Sequence, residues 1–260
     1  MARVHGREAT AADLRALALT GFGHFTSMHV EGGAIRGLDL HLDRLARDCR
    51  AVFDVELDRT AVLGAIRDAI AAEPGDCTLR VTVFDPDLTL ANLGSARARP
   101  VPLVTTRPSS PSGPGPMRVL SVEFQREMPS VKHVGLFGQL HHRVTAKRAG
   151  FDDVLFVDPV SGRVSEGCTW NVGFVTHDGD VVWPDAAVLP GVTMALVAAG
   201  AHVTRPVLRG DLSRMRAAFA TNASIGVRPI SSVDDLPFDA GDPVIAELQA
   251  AYRRIPGQRP

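Results

Sequence analysis

The chain has 260 residues, 45% of them hydrophobic, which allows a substantial buried core in one large domain or two modest ones. A formal net charge of −1 without basic or acidic blocks argues against nucleic acid or an anionic membrane as the partner, and no run approaches the roughly 20 apolar residues of a spanning helix. The three cysteines, Cys49, Cys77 and Cys168, include no CxxC pair, so neither a disulfide framework nor a metal site is expected, and the compartment is read as reducing and cytoplasmic.

Residues 1–15 carry no apolar stretch of the secretory kind and read as a loop followed by a short helical segment. His24 to Val30 and Ala34 to Leu38 flank Glu31-Gly32-Gly33, the signature of a hairpin. From Asp39, Leu42, Leu45, Cys49 and Val52 recur at helical spacing, and Leu63, Ile66 and Ile70 do the same between Asp58 and Ala72. Glu73-Pro74-Gly75-Asp76 ends that helix, and strands follow at Leu79 to Phe84 and Val101 to Thr105. Between Arg107 and Pro116 there are four prolines, which forbid helix and interrupt sheet pairing. This stretch predicts an interdomain linker at 107–117, between a small N-terminal α/β domain at 1–106 and a larger C-terminal domain at 118–260.

The second half opens on a strand from Arg118 to Phe124, then a helix from Phe137 to Ala149. Strands at Val154 to Val157 and Arg163 to Ser165 follow, then a hairpin of Val172 to Val175 and Val181 to Trp183. A helix from about Val192 to Ala201, strands at Ala217 to Thr221 and Pro229 to Val233, and a helix from Val244 to Arg254 complete the chain.

Of the 28 basic residues only two are lysines, Lys132 and Lys147. A guanidinium stays protonated, whereas an ε-amine can lose its proton and form a Schiff base. Five segments carry candidate chemistry, and each has an ordinary reading beside the functional one. In Ser130-Val131-Lys132-His133, a partly desolvated lysine is suited to imine formation, or it is a surface lysine with a buried stem. In Val164-Ser165-Glu166-Gly167, Glu166 can hold a buried cationic nitrogen, or it is a turn residue. Gly191-Val192-Thr193 opening a helix can cradle a phosphate, or it is an N-terminal cap. Arg44, in His41-Leu42-Asp43-Arg44-Leu45, can grip a phosphate or face solvent. Thr221-Asn222-Ala223-Ser224 can complete a phosphate cup or form a plain loop.

The order HLDRL at 41–45, VKH at 131–133, GRVSEGCTWNVGF at 162–174, LPGVTM at 189–194 and TNASIGVRPI at 221–230 resembles the class IV aminotransferase family. That is the fold-type IV group of pyridoxal-phosphate enzymes, which contains branched-chain and D-amino acid aminotransferases, (R)-selective amine transaminases and aminodeoxychorismate lyases. The resemblance runs from about Gly21 to Val233. It implies a two-domain α/β fold with the active site between the domains near a homodimer interface. It implies pyridoxal 5'-phosphate as cofactor, with Lys132 as the Schiff-base lysine and Glu166 on the pyridine nitrogen. Arg44, Val192, Thr193, Asn222 and Ala223 match the phosphate-binding positions.

The chain also departs from its branches. Phe137 stands where branched-chain enzymes carry a tyrosine, and the only tyrosine is Tyr252. Phe25 and Thr26 replace the Tyr and Glu of the D-amino acid enzymes, and no Arg and His pair follows Arg80-Val81-Thr82-Val83. Gly23-His24-Phe25-Thr26, Val131-Lys132-His133 and Asn222-Ala223 look most like the lyases, yet Arg36-Gly37 replaces a lyase threonine. Trp170 is expected to narrow the pocket, and His24, Thr26 and Arg80 to line it. The expected activity is transfer of an amino group between a small amino acid or amine and a keto acid. A lyase eliminating pyruvate, or a cofactor-binding relative with little turnover, are the alternatives.

Overall fold

A computed structural model describes residues 2–4, 6–73, 75–94, 97–109, 115–200 and 202–260. In chain order the elements are β1 (Ala2–Val4), β2 (Arg7–Glu8), α1 (Ala11–Thr20), β3 (His24–Glu31), β4 (Ala34–Arg36), α2 (Leu38–Phe53), α3 (Arg59–Ala72), β5 (Cys77–Phe84) and β6 (Val101–Pro108). There follow β7 (Met117–Glu123), α4 (Phe137–Arg148), β8 (Asp153–Val157), β9 (Val164–Gly167), β10 (Asn171–Thr176), β11 (Val181–Pro184) and α5 (Val192–Val197). The chain ends with β12 (Val203–Arg205), a 3-10 turn, β13 (Met215–Asn222), β14 (Gly226–Val233), β15 (Leu236–Pro237), α6 (Pro243–Arg254) and β16 (Gly257–Gln258). Among the described residues no helix is long and apolar enough to cross a membrane.

Two compact units result. The first comprises Met1–Pro111, Val131–Gly135 and Pro256–Pro260; the second comprises Ser112–Ser130 and Leu136–Ile255. The expected linker at 107–117 falls partly at 110–114, outside the described residues, and Arg107 and Pro108 belong to β6. Two short segments expected in the C-terminal domain join the first unit instead, and one of them contains Lys132.

The first unit is an antiparallel sheet in the order β16-β4-β3-β5-β6-β1-β2. α2 and α3 bury their apolar stripes on it, joining Leu42, Leu45, Cys49, Val62 and Ile66 to Met28, Val30, Leu79 and Val81 of the strands. α2 departs from a simple amphipathic pattern, because His41, Arg44 and Asp48 are buried with its apolar residues. The spacing i, i+3, i+7 sets these three along one stripe of the helix.

In the second unit, β10, β13, β14, β7, β8 and β9 form a closed ring of paired strands, the last contact being Asn171 opposite Glu166. β7 pairs in parallel with both β8 and β14. Closure removes the edges that an open sheet would leave there. Met117, Leu155, Val157, Trp170, Phe174 and Ile230 are among the residues of its main core. Trp170, expected in the pocket, is therefore a core residue: it is 4% exposed, its Nε1 donates to Asp153 at 2.9 Å, and its ring covers Gly167 so closely that a Cβ there would overlap it. α5 is shorter than expected, ending at Val197 in a turn before Gly200, and Ala201 lies outside the described residues.

Candidate active site

Lys132 lies in an extended segment laid against β3. Its N–H donates to Asp48 Oδ2 at 2.9 Å and its carbonyl accepts from the Phe25 N–H at 2.8 Å. Val134 N–H donates to the Gly23 carbonyl at 3.0 Å, and His133 bridges His24 in antiparallel register. Lys132 Nζ sits 4.9 Å from the centre of the Phe25 ring, and the Arg80 guanidinium stacks on that ring at 3.6 Å. An aromatic face attracts cations, so Phe25 gathers two of them without neutralising either. Among the described residues Arg80 meets no carboxylate; its Nε donates to Thr82 at 3.1 Å, and burial lowers its pKa.

On the opposite face of β3, Thr26 meets α2. Arg44 Nη2 donates to Thr26 Oγ1 at 2.6 Å, and Thr26 and His41 Nδ1 are 2.7 Å apart. Arg44 Nη2 also lies 3.5 Å from His41 Nδ1; a guanidinium only donates, so Nδ1 is an acceptor that takes the Thr26 hydroxyl proton, and the His41 proton sits on Nε2. That tautomer is neutral. Burial, then the charges of Arg44 and Lys132, push the His41 pKa well below its ordinary value. Arg44 is 6% exposed and its Nε has no partner. Burial lowers its pKa to about 10, against the supporting charge of Asp48.

His24 is fully buried beside Phe53, with neither ring nitrogen hydrogen-bonded. Burial lowers its pKa to about 4, with Asp48 opposing. Of the three residues expected to line the substrate pocket, His24 and Thr26 thus turn toward α2, following the alternation of a strand, while Arg80 shares the Lys132 side.

In the second unit, Glu166 and Arg126 form a buried ion pair, Nε to Oε1 at 2.7 Å, with side chains 6% and 5% exposed. The Leu189 N–H donates to Glu166 Oε2 at 3.2 Å, and Arg126 Nη2 donates to the Pro129 carbonyl. A carboxylate accepts up to about four hydrogen bonds, so a cationic ring N–H is compatible with this pair. Asn171 Nδ2 donates to the Leu189 carbonyl at 2.8 Å, and its Oδ1 occupies the space a Cβ on Gly191 would need. That contact fixes the entry to α5, where Val192 and Thr193 are buried and Thr193 Oγ1 has no partner.

Asn222 makes its contacts differently from the sequence expectation. Its Oδ1 accepts from Ser224 and Ile225 N–H groups at 2.9 and 3.0 Å, and its Nδ2 donates to the Thr169 carbonyl at 3.2 Å. The side chain shapes the turn through Ala223. The neighbouring Thr221 hydroxyl is buried and unpartnered, and was not among the expected site residues. Asp48 and Arg126 were also missed. Asp48 had a readable signal, four residues after Arg44 on the same helix, whereas nothing local marks Arg126.

The fold is that of a mixed α/β pyridoxal-phosphate enzyme of fold type IV. The chain belongs to the class IV aminotransferase family, whose family model, described as amino-transferase class IV, matches residues 23–233. Among solved structures, a branched-chain aminotransferase from Thermoproteus uzoniensis superposes with a TM-score of 0.84 at 20% identity, over 97% of this chain and 93% of that one. The 4-amino-4-deoxychorismate lyase from Pseudomonas aeruginosa superposes with a TM-score of 0.77 at 27% identity, over 97% and 98%. The PLP-bound form of a hypothetical aminotransferase from Mycobacterium tuberculosis gives 0.75 at 21%, over 95% and 93%. No curated protein matches the chain in sequence.

Proposed function

We propose that this enzyme transfers an amino group between a small, carboxylate-bearing amino acid and a keto acid, with Lys132 as the residue that attaches pyridoxal 5'-phosphate. The observation that carries the substrate class is Arg80, a half-buried guanidinium without a carboxylate partner among the described residues, stacked on the ring that also faces Lys132 Nζ. Buried cations are ordinarily paired; a substrate carboxylate would supply the missing charge.

The residues present fit the cofactor. The orphaned Thr193 hydroxyl and the unpartnered Arg44 Nε are donors suited to phosphate oxygens. In this reading Arg44 in the first unit, and Val192, Thr193 and the turn at Asn222 and Ala223 in the second, would each offer contacts to the phosphate, and Glu166 would meet the ring nitrogen. When bound, the cofactor supplies an electron sink for the carbanion left at the substrate carbon. Glu166, held by Arg126, keeps a negative charge beside the ring nitrogen and so favours its protonated state. Lys132 Nζ would be the base that carries the proton away from the substrate carbon. Thr26 and His41 serve Arg44 rather than the substrate.

A homodimer is part of this reading, supported by the family and by Phe137, Leu140 and Val144, exposed along one side of α4. The cytoplasmic assignment is compatible with three buried cysteines that form no disulfide.

A second reading, elimination of pyruvate from aminodeoxychorismate, is favoured by the 27% identity to the Pseudomonas aeruginosa lyase. Against it, Arg36, at the place of the lyase threonine, is tied to Glu31 at 2.7 Å. Two measurements decide. Borohydride reduction with the cofactor, followed by peptide mapping, should label Lys132 and leave Lys147 unlabelled; label on Lys147 refutes the assignment. A single amino donor should yield one equivalent of keto acid per subunit and then stop until an acceptor keto acid is added. Pyruvate released from aminodeoxychorismate over many turnovers with no acceptor would install the second reading.

A further inference from the structure

Asp48 is fully buried, and its charge beside Arg44 does not account for where its oxygens are directed. Its Oδ1 accepts from Arg47 Nε and Nη2 at 3.1 and 2.8 Å. Its Oδ2 is spent on the backbone of a distant segment, the peptide N–H of Lys132. A charged hydrogen bond that orders a loop backbone is costly to bury and serves little unless that backbone must be held. The Lys132 carbonyl is also engaged, by the Phe25 N–H, so both polar groups of its main chain are fixed within the first unit.

α2 adds a second constraint. Arg44 precedes Asp48 by four residues, one turn of the same stripe, and the Asp48 charge supports the buried Arg44 guanidinium. One rigid helix therefore carries both the cation assigned to phosphate and the carboxylate that grips the lysine segment. The separation of 84 positions from Asp48 to Lys132 makes this a long-range tie, invisible to local pattern.

We propose that Asp48 is a positioning residue, whose carboxylate holds the Lys132 peptide in register with α2 so that Nζ is delivered to the aldehyde carbon of the cofactor. The inference rests on Lys132 being the attachment site. In attachment, Nζ bonds to the aldehyde carbon, and the aldehyde oxygen leaves as water with two protons from the amine. Asp48 touches none of these atoms. It lowers the cost of bringing Nζ to them by restricting where the Lys132 backbone can be.

The test uses the full chain and two probes that share ring and phosphate. Pyridoxine 5'-phosphate carries an alcohol and cannot attach; pyridoxal 5'-phosphate carries the aldehyde. In Asp48→Asn, affinity for the alcohol reads the support that Asp48 gives Arg44, and any loss there is divided out of the trapping rate. Timed borohydride trapping at Lys132 should slow by about tenfold beyond that, because the neutral amide of Asn holds the Lys132 N–H less firmly than the carboxylate does. Trapping at the unaltered rate overturns the proposal. So does a parallel loss of both probes, which would make Asp48 only structural. Should Asp48→Asn fail to fold, amide exchange in the unsubstituted protein gives the answer: the Lys132 N–H should be protected as well as neighbouring β3 amides, and free exchange overturns the proposal. Absence of any label on Lys132 in the unsubstituted protein is a separate failure, that of the attachment assignment itself.

Discussion

Arg44 Nη2 and Thr26 Oγ1 lie 2.6 Å apart, and the same hydroxyl reaches His41 Nδ1 at 2.7 Å. The guanidinium is thus oriented by a strand hydroxyl whose own proton is held by a neutral imidazole. Thr26→Val keeps the shape and removes both bonds. Cofactor affinity should fall by about tenfold, since a hydrogen bond to a charged group contributes roughly 1.5–3 kcal/mol. Titration of the apoprotein with pyridoxal 5'-phosphate measures this. An unchanged affinity with a raised KM for the amine would return Thr26 to the substrate pocket.

The Arg126–Glu166 pair makes a different kind of statement. Its members are buried together, so the attraction largely repays their desolvation only while both are present. Arg126→Met should destabilise the protein by about 3–5 kcal/mol, because a buried carboxylate is left without its counter-charge. Arg126→Met with Glu166→Gln should recover much of that loss. Urea unfolding of the two variants gives the comparison, and additive losses would show that the residues do not act as a pair.

Much of the chain was legible because its elements carry their own periodicity. α2, α3, α4 and α6, and the strands around them, follow apolar spacings that a local reading resolves. β1, β2 and β16 have two or three residues each, too few to show alternation, and form by pairing with distant partners. The site divides along the same line. Lys132, Glu166 and Thr193 stand in recognisable local sequence, which is what marks them as candidates. That Lys132 belongs with the first unit depends on contacts with Asp48, Gly23 and Phe25, which no local pattern encodes. Alternation along β3 could have warned that His24 and Thr26 share a face that excludes Phe25. The sequence expectation joined His24 and Thr26 to Arg80, which the register sets opposite Ser27 and so on the Phe25 face.

Acid should weaken the first unit through His24 and His41. Both have native pKa values below their ordinary 6.5, His24 at about 4, chiefly through burial. Between these values the unfolded chain binds protons that the native state refuses. Stability is therefore full above about pH 6.5 and is lost as pH falls, at roughly 1.4 kcal/mol per pH unit for each histidine. Melting temperatures measured from pH 7 to pH 5 should fall, and His24→Phe, which can pack on Phe53, should flatten the curve. A curve with the same slope in His24→Phe would place the titration elsewhere.

Thr193 offers the sharpest separation of folding from binding. The residue is 2% exposed and its buried hydroxyl has no partner in the protein, an arrangement that costs stability without returning any to the fold. Valine has the same shape and no hydroxyl to leave unsatisfied. Thr193→Val should raise the stability of the apoprotein by about 1 kcal/mol, a fraction of the penalty for a buried unsatisfied group. The same change should weaken cofactor binding by about tenfold, because the phosphate loses a donor in a site where water cannot easily replace it. Stability by denaturant and affinity by titration must then move in opposite directions. If both fall, the hydroxyl is part of the packing of α5 and the phosphate assignment for Thr193 is withdrawn. If stability rises with affinity unchanged, the phosphate is held elsewhere, and Arg44 becomes the residue to substitute next.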